Sequence, residues 1–138
     1  MLSNITSSDM APARVLLVDD NEGILVRAAA VLRSSCKVVG AVTDGPAALE
    51  AAETLHPEVI VLDISMSGMS GFEVARRLRE AGSTAAVVFL TVQHGEEFLR
   101  EAKAAGGIGY VVKPRLASDL KVAVQEAREG RPFTSTIR

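Results

Sequence analysis

The chain reads as an α/β protein, a parallel sheet covered on both faces by helices, and two observations predict this. Short apolar runs alternate with helically spaced segments five times along the 138 residues. Strand–helix alternation of this kind gives parallel strands joined by right-handed crossovers. Apolar residues make up 48% of the chain while aromatics are 4% and Trp is absent. The core must therefore be built from Val, Leu, Ile and Ala, which suit strands buried on both faces.

Arg14 to Asp19 (RVLLVD) is the first strand, and Glu22 to Arg33 carries Ile24, Leu25, Ala28, Val31 and Leu32 at helical spacing. Lys37 to Val42 is the second strand. The turn Thr43-Asp44-Gly45-Pro46 opens a helix with Pro near its first position, and His56-Pro57 ends it after Leu55. Glu58 to Asp63 (EVIVLD) is the third strand, followed by a Ser-, Gly- and Met-rich loop to Ser70 and a helix over Gly71 to Ala81. Ala85 to Thr91 is the fourth strand, Glu96 to Ala105 a weakly amphipathic helix, and Ile108 to Val112 the fifth strand after the Gly106-Gly107 break. Ser118 to Glu129 is the last helix, stopped by Gly130-Arg131-Pro132. Three parts result: a disordered tail over 1–12, one folded domain over 13–130, and a loose C-terminal tail or linker over 131–138.

Composition excludes several classes. The net charge is −2, without the basic footprint of a nucleic-acid binder, so direct DNA binding by this chain is not expected. The single cysteine, Cys36, forms no internal disulfide and fits a reducing compartment. The start has no basic residue followed by an apolar run, and no stretch approaches the roughly 20 apolar residues of a membrane helix. The expectation is a cytoplasmic protein.

In a parallel sheet, ligands bind outside the carboxyl ends of the strands, where strand order reverses. The first strand ends in Asp19-Asp20, the third in Asp63 and the fourth in Thr91, and the fifth is followed by Lys113-Pro114. Each alone has a plainer reading: Asp20 as the cap of the first helix, Asp63 as a loop cap, Thr91 as a strand residue, Lys113 as a surface lysine. Together they bring three acids, a hydroxyl and a lysine to one edge. Two carboxylates about 4 Å apart repel by about 4 kcal/mol at an effective dielectric near 20, and one lysine offsets only part of that. A hard cation with oxygen ligands completes such a set, and Mg²⁺ is the natural one. His56 and His94 have no partner at zinc spacing and are read as structural or surface residues. A carboxylate beside Mg²⁺ can attack phosphorus while a lysine and a hydroxyl hold the phosphoryl oxygens. No Gly-rich phosphate loop follows the first strand.

Four motifs carry a family resemblance. Val15-Leu16-Leu17-Val18-Asp19-Asp20-Asn21-Glu22, the segment Val61 to Glu73 around Asp63, Phe89-Leu90-Thr91, and Gly109-Tyr110-Val111-Val112-Lys113-Pro114 resemble the receiver domains of response regulators in two-component systems. The similarity runs from about Ala13 to Gly130. It implies a flavodoxin-like, doubly wound sheet of five strands in the order 2-1-3-4-5. It implies a phosphorylation-activated switch rather than an enzyme, with Asp63 taking a phosphoryl group from a sensor histidine kinase or phosphotransfer protein. Mg²⁺ would be bound by Asp20, Asp63 and the backbone carbonyl of Ser65, with Asp19 acting mainly through water. Lys113 would pair with the phosphate, Thr91 would bond a phosphoryl oxygen, and Tyr110 would be the switch aromatic that turns inward. The output would go to a protein partner at the fourth helix, fifth strand and fifth helix, a face that also offers a homodimer contact. The segment Ala127 to Phe133 resembles the linker of helix-turn-helix regulators, but no output domain follows in this chain.

Two positions depart from the family pattern, and two more flank the site. Ser67 stands in the usual Met-Pro-Gly segment, Val92 replaces the small residue after the hydroxyl, and Ser65 and Gln93 flank the site and tune the phosphate lifetime. The bulk of Val92 predicts slow phosphorylation by small donors and slow loss of the phosphate. Two alternatives share the site. One is a relay intermediate that passes the phosphate onward. The other is an aspartate-nucleophile phosphatase, which would want an acid where Ser65 stands.

Overall fold

The computed structural model describes residues 11–136. The expected N-terminal tail over 1–12 therefore lies, for residues 1–10, outside the described residues. Six strands and five helices follow in order: β1 (Ala13–Val18), α1 (Glu22–Leu32), β2 (Cys36–Val42), α2 (Gly45–Leu55), β3 (Val59–Leu62), α3 (Gly71–Glu80), β4 (Ala86–Thr91), α4 (Glu96–Ala104), β5 (Gly107–Val112), α5 (Leu116–Arg128) and β6 (Phe133–Thr134). A single 3₁₀ turn, Lys113–Arg115, links β5 to α5. The sheet order is β2-β1-β3-β4-β5-β6, with every pairing parallel. The first five strands stand as expected, but the five-strand count is corrected by β6. Phe133–Thr134, read from the sequence as part of a loose tail, pairs with β5. Two residues are too few to show a strand's alternation, which is why the pattern missed them.

Strand alternation divides the core into two layers. Val15, Leu17, Val59, Val61, Val88, Leu90 and Val111 pack with Ile24, Ala28, Leu32, Leu116, Leu120 and Val124 of α1 and α5. Leu16, Val18, Ile60, Leu62, Phe89, Tyr110 and Val112 face the other way, onto residues of α2, α3 and α4 such as Ala48, Phe72, Leu78 and Ala102. Phe72 meets Phe89 edge-on with ring centroids 5.3 Å apart. The β3 strand is buried along its whole length, so the residue after it is delivered to the sheet edge by a rigid support. In contrast, α4 buries only Ala102 and begins at Gly95 without a side-chain cap, so it is the helix held least firmly.

Local signals set the helix starts. Asn21 accepts from Ile24 N–H at 3.1 Å, Asp44 from Ala47 N–H at 2.8 Å and Ser70 from Glu73 N–H at 3.2 Å. His56 ends α2 in the left-handed conformation at φ 48°. Among the described residues no helix is long and apolar enough to cross a membrane.

Candidate phosphoacceptor and metal site

The chain order reverses between β1 and β3, and the carboxyl ends of β1, β3, β4 and β5 there bring together all five residues expected from the sequence. Asp19 and Asp20 follow β1, Asp63 follows β3, Thr91 closes β4 and Lys113 follows β5. Asp19, Asp63 and Thr91 are buried, and Asp20 is exposed. One carboxylate oxygen from each of Asp19, Asp20 and Asp63 lies within 4.8 Å of the others. The plain reading of Asp20 as a helix cap is overturned, because the cap of α1 is Asn21. That leaves the Asp20 carboxylate to the cluster.

Backbone geometry fixes these side chains. Asp63 N–H donates to Val18 O at 2.9 Å, locking the acceptor strand to β1. Asp19 Oδ1 accepts from Asn21 N–H at 2.8 Å. Gly71 opens α3 directly against the Asp63 backbone: a Cβ there would lie 2.0 Å from the Asp63 carbonyl oxygen. Only glycine allows that approach, so Gly71 is a positioning residue that the sequence reading treated merely as a helix start.

The electrostatics are unbalanced. Lys113 Nζ lies 2.9 Å from Asp19 Oδ2 and 3.5 Å from Asp63 Oδ1. Ser65 N–H donates to Asp63 Oδ1 at 3.4 Å. Burial, and next the charge of Asp19, push the Asp63 pKa up from 3.8 to about 6, against the opposing pull of Lys113. Asp19 Oδ2 is fully buried and has no hydrogen bond; the nearby ammonium is its charge partner without being aligned as a donor. Three clustered carboxylates with oxygen-only donors and a single ammonium to offset them suit a hard divalent cation.

Thr91 and Tyr110 are tied together through the loop after β4. Gln93 N–H donates to Thr91 Oγ1 at 3.1 Å, and Tyr110 Oη–H donates to Gln93 O at 2.8 Å. Tyr110 is turned inward and buried, which raises its pKa. The backbone of one residue thus bridges the hydroxyl and the aromatic. Backbone atoms make that bridge, so residue type at Gln93 gave no signal of it. Val92 stands exposed beside Thr91, as do His56 and His94 on the surface.

This is the architecture of a small signalling domain with an acid-lined metal site on its sheet edge. The response regulator receiver domain model matches residues 15–125, and the chain belongs to that family. Its members are signalling domains rather than enzymes, partnered by histidine kinases or phosphotransfer proteins, and the Asp19, Asp20 and Asp63 cluster matches their Mg²⁺ site. The nitrate/nitrite response regulator NarL of Escherichia coli is 34% identical over 130 residues, covering 93% of this chain and 60% of the relative. Transcriptional regulatory protein LiaR of Bacillus subtilis is 31% identical over 121 residues, 86% of this chain and 57% of that protein. The chain thus spans somewhat over half the length of these relatives. Among solved structures, the receiver domain of the putative response regulator NarL from Mycobacterium tuberculosis superposes with a TM-score of 0.79 at 32% identity, covering 88% of this chain and all of that one. The response regulator domain of Thermotoga maritima CheB gives 0.81 at 27% identity, covering 88% of this chain and 100% of that one.

Proposed function

We propose that Asp63 is the phosphoacceptor of this phosphorylation-activated switch, within a receiver unit spanning residues 13–130 to whose sheet β6 adds an edge strand. The observation that carries this is the placement of Asp63: buried, beside two further carboxylates and a lysine, at the end of a fully buried strand. An oxygen of Asp63 forms the new O–P bond as the N–P bond of a phosphohistidine donor breaks, the electron pair leaving with the imidazole nitrogen. Asp20, Asp63 and the Ser65 carbonyl would hold Mg²⁺, with Asp19 assisting; the ion would supply charge neutralisation for the phosphoryl oxygens. The Lys113 ammonium, now spread between Asp19 and Asp63, is placed to pair with the phosphate. The Thr91 hydroxyl accepts from Gln93 N–H and so keeps its own proton free to donate to a phosphoryl oxygen.

Phosphorylation adds about −1.5 to −2 charge. A few charge-assisted hydrogen bonds at roughly 1.5–3 kcal/mol each supply the roughly 5.5 kcal/mol that inverts a 1:99 population. The Gln93 bridge supports the reading of Tyr110 as the switch aromatic. The thinly packed α4, with β5 and α5, is the face proposed for an output protein, and for a homodimer where one forms.

Intact mass after incubation with a small phosphodonor and Mg²⁺ tests the acceptor. One phosphoryl group is gained by wild type, and none by Asp63→Ala or in the presence of chelator. A gain that survives Asp63→Ala refutes the assignment. A relay role has the same site, and back-transfer to a histidine phosphotransfer protein distinguishes it.

A further inference from the structure

Strand β5 without a neighbour on its outer side would leave a row of backbone N–H and C=O groups unpaired. In this chain that side is taken by β6. Phe133 pairs with Gly109 and Thr134 with Tyr110, and Ser135 N–H donates to Tyr110 O at 2.8 Å. Ser135 is buried. Its hydroxyl donates to Asp119 Oδ2 at 2.7 Å and accepts from Val112 N–H at 3.3 Å. Asp119, in the first turn of α5, is also held by Arg115 Nε at 2.8 Å and Ser118 Oγ at 3.0 Å. Burial alone would raise the Asp119 pKa, but the hydrogen bonds from Arg115, Ser135 and Ser118 outweigh it and keep the group ionised. A two-residue strand has little hold of its own, and this buried polar anchor supplies it.

Tyr110 sits between this fastening and the phosphoacceptor edge. Its backbone carbonyl takes the Ser135 N–H, and its hydroxyl reaches Gln93 O, whose N–H side engages Thr91. Because β4 occupies the inner side of β5, a ring leaving its slot must pass the outer edge. There Tyr110 shares one cleft with Leu99, Lys103, Pro132, Phe133 and Thr134.

We propose that Pro132–Ser135 is an intramolecular latch that closes the outer edge of β5 and holds Tyr110 turned inward. Docked, it bars any other strand from that edge; released, it opens the path by which the ring leaves. A segment this short opens at far lower cost than the domain unfolds, so the latch can respond while the sheet stays intact. Its consequence for signalling rests on Tyr110 being the switch aromatic, but the latch itself does not. It is read without any phosphate, so failure of one leaves the other standing.

Tyr110 is the sole tyrosine and Trp is absent, so intrinsic fluorescence reports this ring alone. In the full chain, Ser135→Pro removes both the N–H to Tyr110 O and the hydroxyl to Asp119. Acrylamide quenching of Tyr110 is expected to rise several-fold, with faster hydrogen exchange at Val112 N–H, while far-UV circular dichroism and the urea midpoint stay close to wild type. A chain ending at Arg131 has no β6 and is expected to show the same quenching. Fast exchange at Val112 with quenching unchanged overturns the latch, as does unchanged quenching in the chain ending at Arg131.

Discussion

Asp63→Asn, studied in chelator so that no metal enters, removes a charge that the fold holds at a cost. The Asp63 carboxyl titrates near 3.8 in an unfolded chain and near 6 in the folded one, chiefly because it is buried and secondly because Asp19 lies beside it. Between those values the folded chain binds the proton and the unfolded chain does not, so stability falls as pH rises through the window. The contribution is fully present below about pH 4 and gone above about pH 7. A shift of this size corresponds to about 3 kcal/mol. Asn keeps the shape and stands in for the neutral acid, and the pull of Lys113 is already contained in that shift, so the net gain of the variant above pH 7 is at most about 3 kcal/mol, or a rise in Tm of up to roughly ten degrees.

Urea unfolding from about pH 4 to about pH 8 measures this directly. The difference between the variant and wild type is the quantity to follow, since Asp119, whose pKa is lowered in the fold, adds a slope of opposite sign common to both chains. The difference is expected to be near zero at the acid end and to open through the window around pH 5–6. Adding Mg²⁺ then stabilises wild type, by about 2.7 kcal/mol at a hundredfold excess over Kd, and the variant by less. A difference that is flat across this pH range, or that favours wild type at pH 8 in chelator, refutes the claim that the acidic cluster is a strained, cation-hungry site.

Three further perturbations test the parts around it. Lys113→Ala takes the ammonium from Asp19 and Asp63; it is expected to cost about 1–3 kcal/mol in chelator, with Mg²⁺ recovering much of the loss, again by urea unfolding. Gly71→Ala sets a methyl 2.0 Å from the Asp63 carbonyl; the backbone must shift, costing about 1–3 kcal/mol, and phosphoryl incorporation measured by intact mass falls with it. Val92→Ala trims the exposed side chain beside Thr91; it is expected to speed both phosphorylation by small donors and loss of the phosphate by about two- to fivefold, a barrier change of roughly 0.5–1 kcal/mol, and unchanged rates would show that Val92 does not gate the site.

Much of this site was legible in the sequence because its residues are strand ends. Val15 to Val18, Glu58 to Leu62 and Ala86 to Leu90 announce strands by β-branched and apolar runs, and the polar residue that follows such a run in a parallel sheet has one place to go. Asp19, Asp20, Asp63, Thr91 and Lys113 were found that way, with no side-chain contact known. The rest depends on contacts between backbone atoms or between distant segments. Gln93 acts through its backbone, Gly71 through the Cβ it lacks, and Ser135 through a partner sixteen positions away. None of these leaves a period or a composition to read. Helix starts are the intermediate case: three carry a side-chain cap of the expected type, yet choosing Asn21 over Asp20 required the backbone.

The site's imbalance and its use as a switch follow from one arrangement. Asp63 is supported by a strand buried along its whole length and cannot retreat from Asp19, so its repulsion is relieved by a proton or a cation. A phosphoryl group adds negative charge and needs that cation and the Lys113 ammonium beside it. The groups that would answer a phosphoryl group stand on different footing. Thr91 is fixed at the end of β4, but the Gln93 peptide it touches belongs to the loop leading into α4, the helix that buries a single residue. A change in charge at Asp63 therefore meets a fully buried strand on the β3 side and, on the α4 side, a helix that buries a single residue, so a response to that charge is expected on the α4 side first.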